Sequence, residues 1–304
     1  MEKQSSSKTR PIIAGSLTAL VTPFRNGRLD ETSFIRLIEW QIASETNGLV
    51  ILGTTGESPT VSFKEHLDIL AFAIDTVGGR IPVIAGTGAN ATDEAIMLTQ
   101  KAEALGADAC LSVVPYYNKP SQAGLHLHFK TIAENTQLPI LLYDVPGRTG
   151  VKLETNTIAR LAAIPNIIGI KVTTGDMRQI SDIIAACGPA FSIFSGDDFT
   201  NFSLLTLGGA GGISVASNVA PQEMAEFWRV GLAGNWQHAR ALHLTKLYPL
   251  SQLLFLESNP IMVKAALHLM SMLVAEYRLP LCAPSDANLQ TLQAGLTSLG
   301  FIKD

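Results

Sequence analysis

A single lysine stands at the end of a short apolar run, where a charged side chain requires an explanation. The run covers residues 167–171, and Ile168 and Ile170 come just before Lys171. Apolar surroundings favour the neutral amine, which is the form that attacks a carbonyl carbon. Lys171 could therefore condense with a ketone to give an electron-withdrawing iminium. The alternative is a lysine whose stem packs on apolar neighbours while its ammonium group reaches solvent.

Two further side chains could take part in such chemistry if the fold brings them to Lys171. Tyr143 ends an apolar run, and its hydroxyl could act as a general acid and base. Alternatively, Tyr143 could be an ordinary packing tyrosine whose hydroxyl reaches water. Arg148 carries a planar guanidinium that suits a substrate carboxylate, although in most loops it would be an ordinary surface arginine.

A glycine- and threonine-rich stretch could bind an anion. Gly53-Thr54-Thr55-Gly56 could form a backbone nest in which the N–H groups near Thr54 and Thr55 face a carboxylate. It could also be only a tight turn between a strand and a helix, since glycine adopts positive φ at no steric cost. No Gly-Lys-Ser/Thr follows, so it is not a phosphate-binding P-loop.

Composition excludes several classes of protein. The 304 residues are 47% hydrophobic and 16% charged, which is typical of a globular chain, and the net charge of −4 argues against a nucleic-acid binder. Three scattered cysteines and six histidines show no metal-binding spacing. No apolar run is long enough to span a membrane, and the polar first ten residues lack the apolar core of a secretory signal. The expected location is the cytoplasm.

Short apolar runs alternate along the chain with longer amphipathic segments. This pattern predicts a parallel sheet with helices packed on it, and these elements must position the candidate residues. Eight strands are predicted at residues 13–19, 48–52, 82–85, 109–113, 140–143, 167–171, 191–195 and 212–215. Eight helices are predicted at 31–44, 63–76, 92–105, 123–135, 155–163, 177–187, 199–207 and 221–233. Eight units indicate an α/β fold of the (β/α)₈ TIM-barrel type. The alternative, a doubly wound open sheet, would normally have a Gly-x-Gly-x-x-Gly fingerprint after the first strand, which this chain lacks.

We predict three parts in the chain. Residues 1–10 form a disordered leader, residues 11–234 form the catalytic barrel, and residues 235–304 form a C-terminal helical domain. Three helices are expected in the last part, at 236–255, 259–274 and 286–300. Active sites of such barrels lie at the C-terminal ends of the strands, where Lys171, Tyr143 and the Thr54-Thr55 stretch all fall.

Four segments together carry a resemblance to the dihydrodipicolinate synthase family: Gly53-Thr54-Thr55-Gly56-Glu57-Ser58, Pro115-Tyr116-Tyr117-Asn118, the stretch 143–150, and Ile168-Gly169-Ile170-Lys171. The resemblance runs over nearly the whole chain from Gly15. This family belongs to the pyruvate-dependent lyases, with N-acetylneuraminate lyase. The resemblance implies a lysine imine with pyruvate and no other cofactor or metal. It also implies a homotetramer built as a dimer of dimers, and condensation of pyruvate with L-aspartate 4-semialdehyde in diaminopimelate and lysine synthesis.

The resemblance also implies a role for each site residue. Lys171 would form the Schiff base, Tyr143 would carry protons, and Thr54 would link Tyr143 to Tyr117 of a neighbouring subunit. Binding of the substrates would use Thr55, the backbone at Ile213, Gly196 and Arg148, the last for the carboxylate of the semialdehyde.

An effector site for L-lysine is implied as well, at Ser58, His66, Asn90, Glu94 and Tyr116. The chain departs from the family pattern at Phe63, where lysine-sensitive bacterial members often carry histidine. It departs again at Asp144, where the family usually has asparagine, and at Val172-Thr173, where Glu-Ala is frequent.

Two other functions stay open at this point. One is an aldolase for 2-keto-3-deoxy sugar acids or N-acetylneuraminate, which would use the same imine; these lyases generally lack an arginine at the position of Arg148. The other is a barrel without catalytic activity that binds small keto acids.

Overall fold

The protein is described by a computed structural model over residues 13–303. The predicted leader at 1–10 lies outside the described residues. In chain order the strands are β1 (Gly15–Ala19), β2 (Phe24–Arg25), β3 (Arg28–Leu29), β4 (Gly48–Ile51), β5 (Val83–Gly86), β6 (Ala109–Val113), β7 (Ile140–Asp144), β8 (Ile167–Val172), β9 (Ser192–Ser195) and β10 (Gly211–Ser214).

Within residues 13–303, eight of these strands close into a parallel barrel in the order β1, β10, β9, β8, β7, β6, β5, β4. β1 closes the ring because it pairs with both β10 and β4. The predicted (β/α)₈ TIM barrel is therefore confirmed, and the predicted strand ends agree with the observed ones to within about two residues. The antiparallel pair of β2 and β3 was not predicted.

Helices surround the barrel and continue beyond it. They are α1 (Glu31–Ala43), α2 (Phe63–Val77), α3 (Thr92–Leu105), α4 (Gln122–Glu134), α5 (Pro146–Thr149), α6 (Thr155–Ala162), α7 (Met177–Cys187), α8 (Asn201–Thr206), α9 (Pro221–Leu232), α10 (Trp236–Leu242), α11 (Tyr248–Leu254), α12 (Ile261–Leu269) and α13 (Asp286–Leu299). Across the described residues 13–303, no helix is both long and apolar enough to cross a membrane.

Side chains at the helix starts explain several of these boundaries. The carboxylate of Asp30 accepts a hydrogen bond from the backbone N–H of Ser33, and the Ser62 hydroxyl accepts one from Glu65. Each bond satisfies a backbone donor that the first turn of a helix leaves free. The starts of α1 and α2 are therefore encoded locally, and both helices begin at the predicted residues 31 and 63.

The barrel strands are buried on both faces, because one face packs inside the barrel and the other packs under the helices. Leu17, Val50 and Phe194 belong to the inner cluster, whereas Ile170 and Val172 belong to the outer one. Successive side chains of a strand point to opposite faces. Lys171, between Ile170 and Val172, therefore points into the barrel.

The C-terminal helical part differs from the prediction in detail. The predicted helix at 236–255 consists of α10 and α11 joined by a π-helical turn, His243–Leu247. The helix predicted at 259–274 was too long, because α12 ends at Leu269 and Ser271 then adopts a left-handed φ of 60°. The boundary that we predicted at 234/235 between two domains stays a prediction.

Candidate functional site

Lys171 lies near the C-terminal end of β8 and is 6% exposed. Its Nζ lies 4.4 Å from the centre of the Tyr143 ring, because Tyr143 is the Cα partner of Lys171 on the neighbouring strand β7. Among residues 13–303, no carboxylate forms an ion pair with this Nζ. The structure therefore brings the predicted nucleophile and the predicted acid and base into contact.

Gly196 gives the lysine stem its space. A Cβ atom built at position 196 would lie 2.5 Å from Cε of Lys171 and 2.7 Å from Cγ2 of Thr173. Both distances are far shorter than any ordinary contact between carbon atoms. Only glycine fits there while the lysine keeps its conformation.

A cavity of about 570 Å³ opens at this end of the barrel. It brings together six of the predicted site residues: Thr54, Thr55, Tyr143, Arg148, Lys171 and Gly196. These residues come from segments that are up to about 140 positions apart in sequence, as expected for loops that meet at the mouth of a barrel.

The turn after β4 contributes Thr54 and Thr55 to the cavity lining and leaves two backbone donors without a protein acceptor among residues 13–303. The N–H groups of Gly56 and Glu57 donate within the turn, to the carbonyl oxygens of Gly53 and Thr54. In the described part of the chain, the N–H groups of Thr54 and Thr55 donate to no protein acceptor. Unpaired backbone N–H groups at a turn suit an anionic ligand, and the anion nest stays a prediction.

Asn259, which sequence reasoning missed, connects two of the predicted residues. Its Nδ2 donates to Oγ1 of Thr55 over 3.0 Å, and its carbonyl oxygen accepts a bond from the Arg148 guanidinium over 3.1 Å. Its own Oδ1 is buried and has no partner among residues 13–303. Asn259 lies between α11 and α12, so no strand-end pattern could have indicated it.

Further charged groups line the cavity without having been predicted. Burial raises the pKa of Asp197. At the rim, Nζ of Lys152 lies 3.4 Å from Oδ2 of Asp176, whose side chain also caps α7. Asp197 stands directly beside the predicted Gly196, and that position was the available signal.

Two of the implied links, from Tyr117 to Thr54 and from Thr54 to Tyr143, are not made among residues 13–303. The side chain of Tyr117 is 90% exposed and its backbone is left-handed, with φ of 72°. The side chain of Ile213 is buried in the inner cluster and Val215, just after the same strand, lines the cavity, so the implied backbone contact at Ile213 stays a prediction. Within residues 13–303, no hydrogen bond joins Thr54 to Tyr143.

A second cavity of about 430 Å³ adjoins the first one and shares Thr54, Tyr143 and Arg148 with it. Four residues of the implied effector site line it: Ser58, His66, Glu94 and Tyr116. Phe63 lines it as well, whereas Asn90 is not in its lining and accepts a hydrogen bond from Asn118 through its carbonyl oxygen. Burial lowers the pKa of His66 and raises that of Tyr116.

Asp144 follows Tyr143 on β7 and points away from the cavity, under the helices. It is fully buried, Oδ1 accepts a hydrogen bond from the N–H of Leu153, and Oδ2 has no partner among residues 13–303. Burial raises its pKa to about 6, and the charge of Lys152 opposes this effect. A carboxyl group that loses its proton near pH 6 therefore lies directly behind the site.

The geometry suits addition of an amine to a carbonyl. A buried lysine amine, a phenol in contact with it and a pair of backbone donors meet in one cavity, which also holds an arginine. Within residues 13–303, no group of three or more metal-ligating side chains is found. The arrangement fits a substrate that has a ketone next to a carboxylate.

Comparison with known proteins gives a consistent result. The Dihydrodipicolinate synthetase family matches residues 12–299. The curated 4-hydroxy-tetrahydrodipicolinate synthase of Thermodesulfovibrio yellowstonii is 53% identical over 289 residues, which cover 95% of this chain and 99% of that protein.

Solved structures agree over the same length. The dihydrodipicolinate synthase from Acinetobacter baumannii, described as chloride inhibited and complexed with pyruvate, is 47% identical with a TM-score of 0.94. The match covers 96% of this chain and 100% of that one. The enzyme from Cyanidioschyzon merolae with lysine bound is 37% identical with a TM-score of 0.92, over 95% of this chain and 99% of that one.

Proposed function

The chain belongs to the dihydrodipicolinate synthetase family, and from this premise we propose the reaction that its barrel-mouth cavity catalyses. The protein acts as a 4-hydroxy-tetrahydrodipicolinate synthase, a lyase of amino-acid biosynthesis. It condenses pyruvate with L-aspartate 4-semialdehyde, and pyruvate is held as a Schiff base on Lys171.

The chemistry proceeds in three steps. Nζ of Lys171 bonds to the keto carbon of pyruvate, the keto oxygen leaves as water, and loss of a methyl proton gives an enamine. The enamine carbon bonds to the aldehyde carbon, and the aldehyde oxygen takes up a proton. The amino nitrogen of the semialdehyde then attacks the imine carbon, which closes the ring and frees Lys171. Tyr143 carries the protons, because it is the acid and base in contact with Nζ.

One observation carries this proposal: Lys171 and Tyr143 are in contact within the cavity that is also lined by Thr54 and Thr55, whose N–H groups have no acceptor among residues 13–303. The N–H groups would bind the pyruvate carboxylate while the keto carbon faces Nζ. Arg148 would bind the carboxylate of the semialdehyde, because its guanidinium lines the same cavity and is steadied by Asn259. Gly196 and the backbone at Ile213 would complete the pyruvate pocket.

We further propose that the protein works in the cytoplasm as a homotetramer, a dimer of dimers. The support for an assembly is Tyr117, since a neighbouring copy could bury its exposed ring and bring its hydroxyl to Thr54 and Tyr143. Sedimentation of the wild type and of Tyr117→Ala over a range of concentrations tests this proposal.

L-lysine is proposed to bind in the second cavity, against Ser58, His66, Glu94 and Tyr116, with Asn90 nearby. Glu94 supplies a negative charge for an ammonium group. Phe63 stands in the lining where a histidine would add a hydrogen bond, so we expect weaker inhibition than in relatives with histidine there. Restoring it with Phe63→His should lower the lysine concentration that halves the rate.

Borohydride trapping tests the function directly. Pyruvate and borohydride, added together, should leave a reduced adduct on the peptide that contains Lys171, and none in Lys171→Ala. Absence of the adduct in the wild type would refute the imine mechanism. A rate with aspartate semialdehyde no higher than with glyceraldehyde would instead favour the sugar-acid aldolase.

A further inference from the structure

The turn that carries Thr54 and Thr55 has an unfavourable backbone conformation. Leu52 and Glu57, its first and last residues, each have φ of 57°, in the left-handed region that side chains other than glycine rarely adopt. Each such residue is strained and persists only where the surrounding structure holds its conformation. This 52–57 turn therefore depends on contacts from other parts of the chain.

The strongest of these contacts is a buried ion pair with α12. Nζ of Lys264 lies 2.5 Å from Oε1 of Glu57, and both side chains are fully buried. The other oxygen of Glu57 accepts a hydrogen bond from the N–H of Arg278, and Lys264 donates a second bond to the carbonyl oxygen of Glu276. Lys264 also lies 4.8 Å from the ring centre of Phe24. Protein groups therefore surround both charges of the pair.

Stability alone does not explain such a pair. Removing two charges from water costs several kcal/mol per ion, and a well-packed hydrophobic pair of similar volume often gives equal or greater stability. A buried ion pair does fix direction, because each polar group has few alternative partners. The ion pair therefore serves here to hold the end of the 52–57 turn in one position.

We propose that Glu57 and Lys264 are positioning residues for the pyruvate carboxylate. Neither side chain lines the 570 Å³ cavity. Glu57 lies two residues after Thr55, so anchoring its carboxylate to α12 sets the direction of the Thr54 and Thr55 N–H groups. Asn259, just before α12, holds the Thr55 hydroxyl from the same side. The inference rests on the proposed function, in which these N–H groups bind pyruvate.

The test measures how the borohydride-trapped adduct on Lys171 depends on pyruvate concentration. Glu57→Gln should raise the half-saturating concentration at least tenfold. The double variant Glu57→Gln/Lys264→Met leaves no unpaired buried charge, so its melting temperature should recover while the half-saturating concentration stays at least tenfold high. Glu39→Gln is the control. It removes another ion pair, Glu39 with Arg80, which does not contact the turn, and should leave the half-saturating pyruvate concentration within twofold of the wild type.

Each outcome decides the matter. If Glu57→Gln keeps the wild-type pyruvate dependence, or if the double variant regains both stability and pyruvate dependence, the pair only compensates its own charges and the proposal is wrong. An equal rise in Glu39→Gln would overturn it too, since the effect would then be general. The double variant supplies the answer if Glu57→Gln does not fold. A wild type that forms no adduct would refute the proposed function instead.

Discussion

Replacing Asp144 with asparagine should change how the stability of the protein depends on pH. In the folded chain the carboxyl of Asp144 has a pKa of about 6, raised from an ordinary value of 3.8 by burial. The folded state therefore holds this proton more tightly than the unfolded state does. Stability from Asp144 is greatest below pH 3.8 and is lost as the pH rises towards 6. The asparagine side chain of the Asp144→Asn variant keeps the shape and has no proton to lose.

The size of the effect follows from the two pKa values. Each unit of pKa difference corresponds to about 1.4 kcal/mol, so ionised Asp144 costs the folded state roughly 3 kcal/mol at neutral pH. Between pH 4 and pH 8 the free energy of unfolding of Asp144→Asn should rise by roughly 2–3 kcal/mol relative to the wild type. A constant cost from the buried amide cancels in this comparison.

Urea unfolding at a series of pH values, followed by circular dichroism at one fixed protein concentration, gives both free energies. Asp176→Asn is a control. Hydrogen bonds from the α7 backbone and from Lys152 lower the pKa of Asp176, so its stabilising effect is almost complete above pH 4 and is lost only at lower pH, and this variant should differ from the wild type by a nearly constant amount between pH 4 and pH 8. A difference between Asp144→Asn and wild type that stays flat from pH 4 to pH 8 would refute the account of Asp144.

Four further predictions concern the site. Tyr143→Phe should lower kcat by roughly 10²–10⁴-fold while its circular dichroism stays that of the wild type, because a proton carrier is lost; a wild-type rate would remove Tyr143 from the mechanism. Arg148→Ala should raise KM for the semialdehyde at least tenfold and leave the amount of pyruvate trapped on Lys171 within twofold of the wild type. Steady-state and trapping assays can check both. Gly196→Ala should abolish the trapped adduct, since its Cβ would lie 2.5 Å from Cε of Lys171. Tyr117→Ala should leave the melting temperature of the isolated chain unchanged, because its ring is 90% exposed, and should lower kcat in the assembled protein; activity measured against concentration tests this.

The repeated strands of the barrel were predictable because they are buried on both faces. The run at 109–113 is apolar and short, and it forms β6 with the same ends. The hairpin of β2 and β3 was missed because two-residue strands have no periodicity to detect. Asn26-Gly27 joins them with φ of 53° and 74°, and this dipeptide is a strong hairpin signal that could have revealed it.

The only site residues that could be predicted from the sequence are those that lie at strand ends. Lys171 and Tyr143 each lie at the end of an apolar run, and barrel topology brings such ends together. Asn259 follows no strand and contacts Thr55 across 204 positions of sequence. The same holds for Lys264 and Glu57, 207 positions apart. Long-range polar pairs of this kind leave no periodic trace in a single sequence.

Asn259 also bears on how relatives of this protein can be recombined. A chimera joined at residue 234 would take Thr55, Glu57 and Arg148 from one parent, and Asn259 and Lys264 from the other. The active-site turn of the first parent would then be held by side chains of the second. Such hybrids should work only where both parents keep these partners, so the barrel and its C-terminal helices are expected to be inherited as one exchangeable unit.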